Sequence, residues 1–303
     1  MGLKLEHVSY LYGTDTELLV RALDDVNLEI PDGQFIGLIG HTGSGKSTLV
    51  QHLNGLLKPS EGTILFNGEN IWAQDYSRKT LRSKVGLVFQ YPEHQLFETD
   101  VFADVCYGPK NLGLEQGEIE RRAKKALELV GFPEEFFGQS PFELSGGMNQ
   151  RVALALAILM NPKLILADEP TSALDVTVQA QVIKQMRQLR ESYHTAMLVV
   201  THNMGVVAQL CDKVGVLYAG RIVEWGSVEE HPKHPYTQAL ISAIPEMNGE
   251  DPTGIPGSPK EFTKEEIGCD FAPRCTKAKE NCACVVPEKV VLSDEHWALC
   301  PYC

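Results

Sequence analysis

A glycine-rich segment near the N-terminus has the residue types and spacing that bind a phosphate chain. An apolar, strand-like run precedes it and the helical pattern "STLVQHLNGLL" follows it, which disfavours a simple glycine-rich turn with a surface lysine. In such a loop the backbone N–H groups surround the β-phosphate, Lys46 reaches the β- and γ-phosphates, and the Ser47 hydroxyl binds Mg²⁺. The sequence therefore predicts a nucleotide-binding loop formed by Gly40, His41, Thr42, Gly43, Ser44, Gly45, Lys46, Ser47 and Thr48.

Two acids end a buried-strand pattern later in the chain. In "LILADEP" four apolar residues lead to Asp168 and Glu169, so both carboxylates are expected at one edge of a sheet. Asp168 is suited to hold Mg²⁺, usually through water, and Glu169 to orient or deprotonate an attacking water. An isolated Asp-Glu pair is more often a solvated helix cap, but the phosphate loop in the same chain favours the catalytic interpretation.

Other polar residues stand at the ends of predicted elements. Gln90 ends "KVGLVFQ" and His202 ends "AMLVVTH", at strand ends where open α/β sheets bind ligands. Ser145, Gly146 and Gly147 open the Ala/Leu-rich helix pattern of "ELSGGMNQRVALALA". A helix N-terminus is an anion site, yet no basic residue stands among their immediate neighbours.

The elements that must position these residues alternate between strand and helix patterns. Short apolar runs up to about residue 90 indicate strands, the stretch from 91 to about 160 has helical spacing, and "KLILADE" and "AMLVVTH" flank the helical pattern "VTVQAQVIKQMRQLRESY". This alternation predicts an α/β fold with a parallel sheet. We predict a main domain over residues 1–245 with a helical subdomain at about 91–160, a Pro/Gly-rich linker over 246–268, and a Cys-rich region over 269–303.

Bulk composition restricts the class of protein. The 303 residues are 43% hydrophobic and 22% charged, as in an ordinary globular protein, and the net charge of −13 argues against nucleic acid as the main partner. No apolar run approaches a membrane span, and "MGLKLEHVSY" has no signal-peptide pattern. We therefore expect a cytoplasmic chain that reaches a membrane only through a partner.

In combination, these motifs resemble the ATP-binding-cassette (ABC) ATPase family over essentially the whole chain. They stand in family order: the phosphate loop, the Gln90 loop, the "LSGG" signature, "LADE", "SALD" at Ser172 to Asp175, and His202. The resemblance implies a P-loop ABC ATPase fold, with a mainly parallel core sheet, an antiparallel β subdomain, a helical subdomain and a small Cys-rich C-terminal extension. It also implies ATP and Mg²⁺ as the bound nucleotide and metal.

The resemblance further implies a site divided between two subunits. In this family the signature helix of one subunit caps the γ-phosphate held by the phosphate loop of its partner, so Ser145, Gly146 and Gly147 would meet Lys46 of another chain. Tyr12 resembles the aromatic residue that stacks on adenine, although Tyr10 is nearby and either ring could pack in the sheet. The other implied roles are Gln90 sensing Mg²⁺ and water, Asp175 in the loop that crosses the dimer, and His202 contacting the γ-phosphate.

Within the family the likeness changes near residue 145. Residues 1–145 resemble the energy-coupling-factor ATPases of vitamin and metal-ion uptake, and residues 145–303 resemble the oligopeptide/dipeptide importer ATPases. We therefore expect an ATPase subunit of a prokaryotic importer, peripheral on the cytoplasmic face of the cell membrane, with a transmembrane subunit and a second ATPase subunit, identical or different, as partners. The docking region from Gln90 to Phe142 favours an energy-coupling-factor partner, while the cargo and the natural or assembled origin of the change stay open.

Two other classes of protein fit the motifs less well. A non-transport ABC ATPase often carries two cassettes or a long coiled insert, and this chain has one cassette and no such insert. A small-molecule P-loop kinase should lack the "LSGG" sequence.

The cysteines are concentrated at the C-terminal end of the chain. Six of the eight lie between Cys269 and Cys303, a clustering that in a cytosolic chain suggests metal rather than disulfides. The spacing resembles that used by some importer ATPases for an iron–sulfur cluster. Four thiolates could hold [4Fe–4S] or zinc, or stay reduced without metal; the candidate ligands are Cys269, Cys275, Cys282 and Cys300, with Cys284 and Cys303 in excess.

Overall fold

The chain folds into two β-sheets with helices packed against the larger one. The computed structural model describes residues 2–13, 19–172, 174–243, 254–258, 260 and 267–303, so most of the predicted linker over 246–268 lies outside the described residues. The strands are β1 (Gly2–Tyr12), β2 (Val20–Pro31), β3 (Phe35–Ile39), β4 (Glu61–Phe66), β5 (Glu69–Asn70), β6 (Val85–Val88), β7 (Leu164–Asp168), β8 (Ala196–Val200), β9 (Lys213–Tyr218), β10 (Arg221–Ser227), β11 (Val290–Val291) and β12 (Trp297–Ala298). The α-helices are α1 (Lys46–Leu53), α2 (Arg78–Lys84), α3 (Val101–Asn111), α4 (Gln116–Leu129), α5 (Gly146–Ile158), α6 (Val176–Tyr193), α7 (Met204–Leu210) and α8 (Pro235–Ser242).

The larger sheet brings the predicted site residues to one edge. Its order is β11-β12-β10-β9-β3-β8-β7-β6, and the five strands from β9 to β6 are parallel. Strands β3, β7 and β8 are buried along their whole length, which explains their uninterrupted apolar sequences. The phosphate loop follows β3, the two acids end β7, His202 follows β8 and Gln90 follows β6. The predicted mainly parallel core is confirmed.

The smaller sheet is antiparallel, as the family resemblance implied. Its order is β2-β1-β4-β5. Alternate residues of β1 point to opposite faces, so Leu3 and Leu5 are buried while Lys4 is exposed. The buried face packs on the side of the larger sheet that carries α1, and places the end of β1 and the start of β2 beside the phosphate loop.

A helical subdomain packs on the other side of the larger sheet. It contains α3, α4 and α5, and these share one apolar core with α6. Helix α5 is buried on nearly all sides from Val152 to Ala157, which explains why its sequence has no polar stripe. Helix α4 buries only one face, and its exposed face carries a bidentate ion pair between Glu118 and Arg121. No helix among the described residues combines the length and the apolar character needed to cross a membrane.

Residues 267–303, here called the C-terminal extension, continue the larger sheet. Strand β12 pairs with β10 through Trp225 and Trp297, and β11 forms the new edge. Beside this pairing, the His296 ring lies 2.8 Å from the Glu224 carboxylate, and both side chains are almost fully buried. Pairing of β12 with β10, the last strand of the main domain on this side of the sheet, therefore fixes the extension against the main domain.

Helix α8 is capped by a buried histidine whose protonation should destabilise the fold. The His234 Nδ1 accepts a hydrogen bond from the Tyr236 backbone N–H at 3.1 Å, and burial lowers the pKa of His234 from 6.5 to about 4. Because the unfolded chain binds the proton more readily, the stability contributed by neutral His234 is complete above pH 6.5 and is lost as the pH falls toward 4.

We expect the His234→Asn substitution to remove this pH dependence of the unfolding free energy. Asparagine can still cap the helix but does not titrate. Between pH 7 and pH 5 the wild-type protein should lose about 2 kcal/mol more unfolding free energy than the variant does. Urea unfolding at both pH values measures this difference, and equal losses in the two proteins would contradict a role for His234.

Candidate nucleotide site

The carboxyl-terminal edge of the parallel strands contains a cavity of about 370 Å³ between the two sheets. Ten of its lining residues were predicted from the sequence: Tyr12, Thr42, Gly43, Gly45, Lys46, Ser47, Thr48, Gln90, Asp168 and Glu169. Val20 and Ala22 of β2 complete the wall and were not predicted, because an apolar residue in a strand gives no sign that it faces a ligand. The cavity thus joins the phosphate loop, the two acids and the Gln90 loop, although the role of each residue stays a prediction.

Lys46 is the first residue of α1, and its ammonium group points back along the phosphate loop. Its Nζ donates to the carbonyl oxygens of Gly40 and His41, both at 2.7 Å. Burial lowers the pKa of Lys46, while the Glu169 and Asp168 carboxylates raise it. A buried cation at a helix N-terminus is a strong site for a phosphate group.

The glycine before Lys46 is required by both its conformation and its surroundings. Gly45 has φ of 104°, which side chains rarely adopt. A Cβ atom there would also lie 2.4 Å from the Ala22 carbonyl oxygen. Any larger residue would therefore push the phosphate loop away from β2 and open the cavity wall.

Asp168 has the features of an acid that holds a hydrated cation. It is buried, and burial raises its pKa while a hydrogen bond from Ser47 lowers it. Its Oδ1 atom has no hydrogen-bond partner among the described residues. An unpartnered buried carboxylate oxygen beside a serine hydroxyl fits Mg²⁺, which prefers oxygen ligands and keeps several waters.

Glu169 is positioned by its backbone and by two neighbours at the end of β8. Its φ of 50° lies in the left-handed region, a strain that clusters at functional sites, and its N–H donates to the Val200 carbonyl oxygen at 2.8 Å. One carboxylate oxygen lies 2.8 Å from His202 Nδ1 and the other accepts from the Thr201 hydroxyl at 3.2 Å. His202 is thus brought directly to the acid, and Thr201 is an orienting residue that the sequence analysis missed.

The structure distinguishes the two candidate tyrosines by location. Tyr12 lines the cavity, and its hydroxyl lies 3.3 Å from the Thr48 hydroxyl. The ring of Tyr10 packs edge-on against Tyr12 and against His52, and Tyr10 is not part of the cavity wall. Stacking of Tyr12 on a base stays a prediction.

The signature residues lie outside this cavity. Ser145 caps α5 by accepting from the Met148 N–H, and Asp175 caps α6 by accepting from the N–H groups of Thr177 and Val178. A Cβ atom on Gly147 would meet a Val178 methyl group at 2.6 Å, so the two helix N-termini pack closely. Neither Ser145, Gly146, Gly147 nor Asp175 lines the described cavity, and each chain by itself therefore gives a phosphate loop without the signature helix over it.

The structure does not support the predicted metal centre in the C-terminal extension. Although Cys269 donates its backbone N–H to the Cys282 carbonyl oxygen, no group of three or more potential ligands among the described residues is arranged to hold a metal ion. The thiols are free, and burial raises the pKa values of Cys269 and Cys275, which disfavours the thiolate that a metal requires. The thiols of Cys269, Cys275, Cys282 and Cys300 as placed do not fit an iron–sulfur cluster or zinc, and we derive no chemistry from one.

Three features define an ABC-type P-loop ATPase. They are a phosphate loop after β3, an acid pair at the end of β7, which is separated from β3 by one strand of the sheet, and a capped signature helix outside the cavity. A family model described as ABC transporter matches residues 23–172, and one described as oligopeptide/dipeptide transporter, C-terminal region, matches residues 223–282. The chain belongs to the ABC transporter ATP-binding family, and it is an ATPase that uses ATP with Mg²⁺.

Curated relatives and solved structures support this assignment. The energy-coupling factor transporter ATP-binding protein EcfA2 of Caldanaerobacter subterraneus is 46% identical over 230 residues, which cover 76% of this chain and 80% of the relative. EcfA2 of Clostridium perfringens is 45% identical over 249 residues, which cover 82% of this chain and 87% of the relative. The likeness to energy-coupling-factor proteins therefore extends beyond the 145 residues predicted, and both predicted resemblances are confirmed.

Two solved structures show the same fold. CbiO1 from Clostridium perfringens, described as part of the ABC transporter complex cbiONQ, is 37% identical and covers 75% of this chain and 88% of that one, with a TM-score of 0.66. The ATP-binding cassette MJ0796 was solved as a dimer in a post-hydrolysis state bound to ADP and Pi. It is 30% identical, and the match covers 76% of this chain and 100% of that one, with a TM-score of 0.67.

Proposed function

We propose that this chain is the ATP-hydrolysing subunit of a prokaryotic importer, that it works as one of a pair of ATPase subunits, and that it docks from the cytoplasmic side on a membrane subunit of the energy-coupling-factor type. The observation that carries the proposal is the placement of two consecutive residues after β6. Gln90 lines the nucleotide cavity, while Phe89 lines a separate groove of about 330 Å³. A partner seated in the groove would thus act on the same chain segment as the nucleotide.

The groove has the chemistry of a protein-binding surface. Leu56, Phe97 and Tyr107 lie on it and are 43%, 59% and 41% exposed, and the rings of Phe97 and Tyr107 meet edge-to-face at 4.8 Å. The buried Asp104 carboxylate accepts from the N–H groups of Phe97 and Glu98 and fixes the loop that presents them. Exposed aromatic residues clustered on a rigid rim mark an interaction site.

The nucleotide site supplies the residues for hydrolysis of the γ-phosphate. Ser47 and Asp168 would hold Mg²⁺, which would neutralise charge on the phosphates. Lys46 binds the β- and γ-phosphates. Glu169, oriented by Thr201 and His202, accepts the proton of the attacking water, and the signature residues of the paired subunit complete the anion site.

Two kinds of cargo follow from the two resemblances. The predicted resemblance to energy-coupling-factor ATPases of vitamin and metal-ion uptake favours vitamins or metal ions, whereas the match of residues 223–282 to a peptide-transporter region favours oligopeptides or dipeptides. We assign partner choice to the groove, because contact specificity lies in the docking surface and not in the nucleotide site.

A capture experiment tests the proposed partner. The purified chain should bind an energy-coupling-factor membrane subunit in detergent or nanodiscs in preference to a peptide-importer permease. Phe97→Asp should weaken that binding by about tenfold or more, because it places a charge at the apolar rim. Val291→Asp is the matched control, since Val291 is 68% exposed and lies on β11, outside the groove.

Three outcomes would contradict this assignment. Preferential capture of the peptide-importer permease would show that the C-terminal half dictates assembly. Equal weakening by Phe97→Asp and Val291→Asp would remove the groove from the interface. Capture of neither membrane subunit would favour the alternative of a non-transport ABC ATPase.

A further inference from the structure

A cluster of aromatic rings connects the C-terminal extension to the phosphate loop. The cluster, here called the aromatic cluster, consists of His41, Tyr218, Tyr236 and Phe271. Tyr236 of α8 lies 4.5 Å from the Tyr218 ring and 5.3 Å from the Phe271 ring, and the His41 ring lies 5.3 Å from that of Tyr218. Tyr218 and Tyr236 are fully buried and Phe271 is nearly so.

The cluster holds the backbone of one phosphate-loop residue, His41, from outside the nucleotide cavity. The His41 N–H donates to the Tyr236 hydroxyl at 3.0 Å. The His41 carbonyl oxygen accepts from Lys46 Nζ at 2.7 Å and from the Ser44 N–H at 3.2 Å. The carbonyl oxygens of Gly40 and His41 both accept from Lys46 Nζ, so the position of His41 sets that of the loop oxygens that hold Lys46.

The surroundings leave this residue little room to move. A Cβ atom on Gly40 would lie 2.3 Å from the Leu217 carbonyl oxygen, so β9 already presses on the loop entrance. The Tyr236 hydroxyl stays neutral, because burial raises its pKa to about 12. A rigid hydroxyl therefore faces the loop at any physiological pH.

The C-terminal extension closes the far side of the aromatic cluster. Phe271 packs on both tyrosines, and Cys269 and Cys275, which flank it in sequence, contact the same core. The guanidinium group of Arg274, in the same turn as Phe271, lies close enough to His41 to lower its pKa. Burial and the Lys46 charge lower that pKa by more. The extension and the phosphate loop thus share one small core.

We propose that Tyr236 is a positioning residue for the phosphate loop, and that the C-terminal extension supports it through Phe271 and so sets the affinity for ATP. This inference rests on the proposed binding of nucleotide by that loop. ATP binds to the loop N–H groups and Lys46 only when these are held in position. A loop that is already anchored at His41 loses less conformational freedom when ATP binds, so ordering it costs less free energy.

A matched pair of hydroxyl deletions tests the inference on the full-length chain. Tyr236→Phe removes the hydrogen bond to His41 and keeps the ring. Tyr218→Phe removes an equally buried hydroxyl that has no hydrogen-bond partner among the described residues, so it controls for loss of a buried polar atom. We expect Tyr236→Phe to raise the dissociation constant and the KM for ATP roughly three- to tenfold, with kcat changed by less than about twofold.

Further measurements separate positioning from general stability. Backbone amide exchange in a peptide spanning residues 38–46 should be faster in Tyr236→Phe than in Tyr218→Phe, and Phe271→Ala should weaken ATP binding in the same direction. Equal ATP affinity in the two tyrosine variants would overturn the role of Tyr236, and unchanged affinity in Phe271→Ala would overturn the role of the extension. The Lys46→Ala chain serves as the reference: if it binds ATP normally, the nucleotide site itself is misplaced, which is a separate failure.

Discussion

The Glu169→Gln protein should bind ATP as the wild-type chain does and yet hydrolyse it at least about a hundredfold more slowly. The amide keeps the shape of the side chain and an oxygen to accept from Thr201, but it cannot take the proton of the attacking water. The contacts of Glu169 at 2.8 Å to His202 and at 3.2 Å to Thr201 fix where that base stands. Steady-state phosphate release by the assembled complex measures the loss.

The control for this experiment is Thr201→Val, which removes the orienting hydroxyl but leaves the carboxylate. We expect it to reduce kcat by a smaller factor than Glu169→Gln and to leave ATP affinity unchanged. Turnover of Glu169→Gln at the wild-type rate would show that another group accepts the proton.

The second large effect concerns the division of the site between two chains. When a Lys46→Ala chain is paired with a Ser145→Arg chain, one composite site receives both defects and the other receives neither. The mixed dimer, isolated through two different affinity tags, should retain about half of the wild-type nucleotide binding, whereas each variant paired with itself should bind almost none. Bound ATP per dimer is the quantity to measure.

The control rearranges the same two substitutions. A Lys46→Ala/Ser145→Arg double variant paired with a wild-type chain carries one defect in each composite site, so it should bind little ATP. If each chain built its own complete site, the two results would be reversed. The cavity described above, which lacks the signature residues of its own chain, predicts the first pattern.

Much of the fold could be predicted because its signals are local. The predicted helical pattern after Asp175 coincides with α6 from Val176 to Tyr193, since a capping aspartate defines its start and apolar residues recur at helical spacing along it. The phosphate loop and the acid pair likewise carry their chemistry in consecutive residues. The buried strands β3, β7 and β8 contain little besides apolar residues, and the shortness of these runs between turn residues favours strands over helices.

The parts of the fold and of the site that could not be predicted depend on contacts between residues that are distant in the chain. The hydrogen bond from His41 to Tyr236 spans 195 positions, and the pairing of β12 with β10 depends on how the extension returns to the sheet. The left-handed backbone of Glu169 and the contribution of Val20 to the cavity also arise only after the sheets have packed. The spacing of Cys269, Cys275, Cys282 and Cys300 resembled a metal motif, but the backbone places these residues without a joint ligand geometry among the described residues.

We propose that ATP is held between two ATPase subunits, identical or different, with each phosphate loop closed by the other subunit's signature helix. The most direct measurement is the mass and nucleotide content of the Glu169→Gln protein after addition of ATP and Mg²⁺, by light scattering on a size-exclusion column and quantification of the released nucleotide. We expect a dimer that contains two ATP molecules and that does not form when Ser145→Arg is added. A monomer that retains one ATP, with the same content after Ser145→Arg, would contradict it.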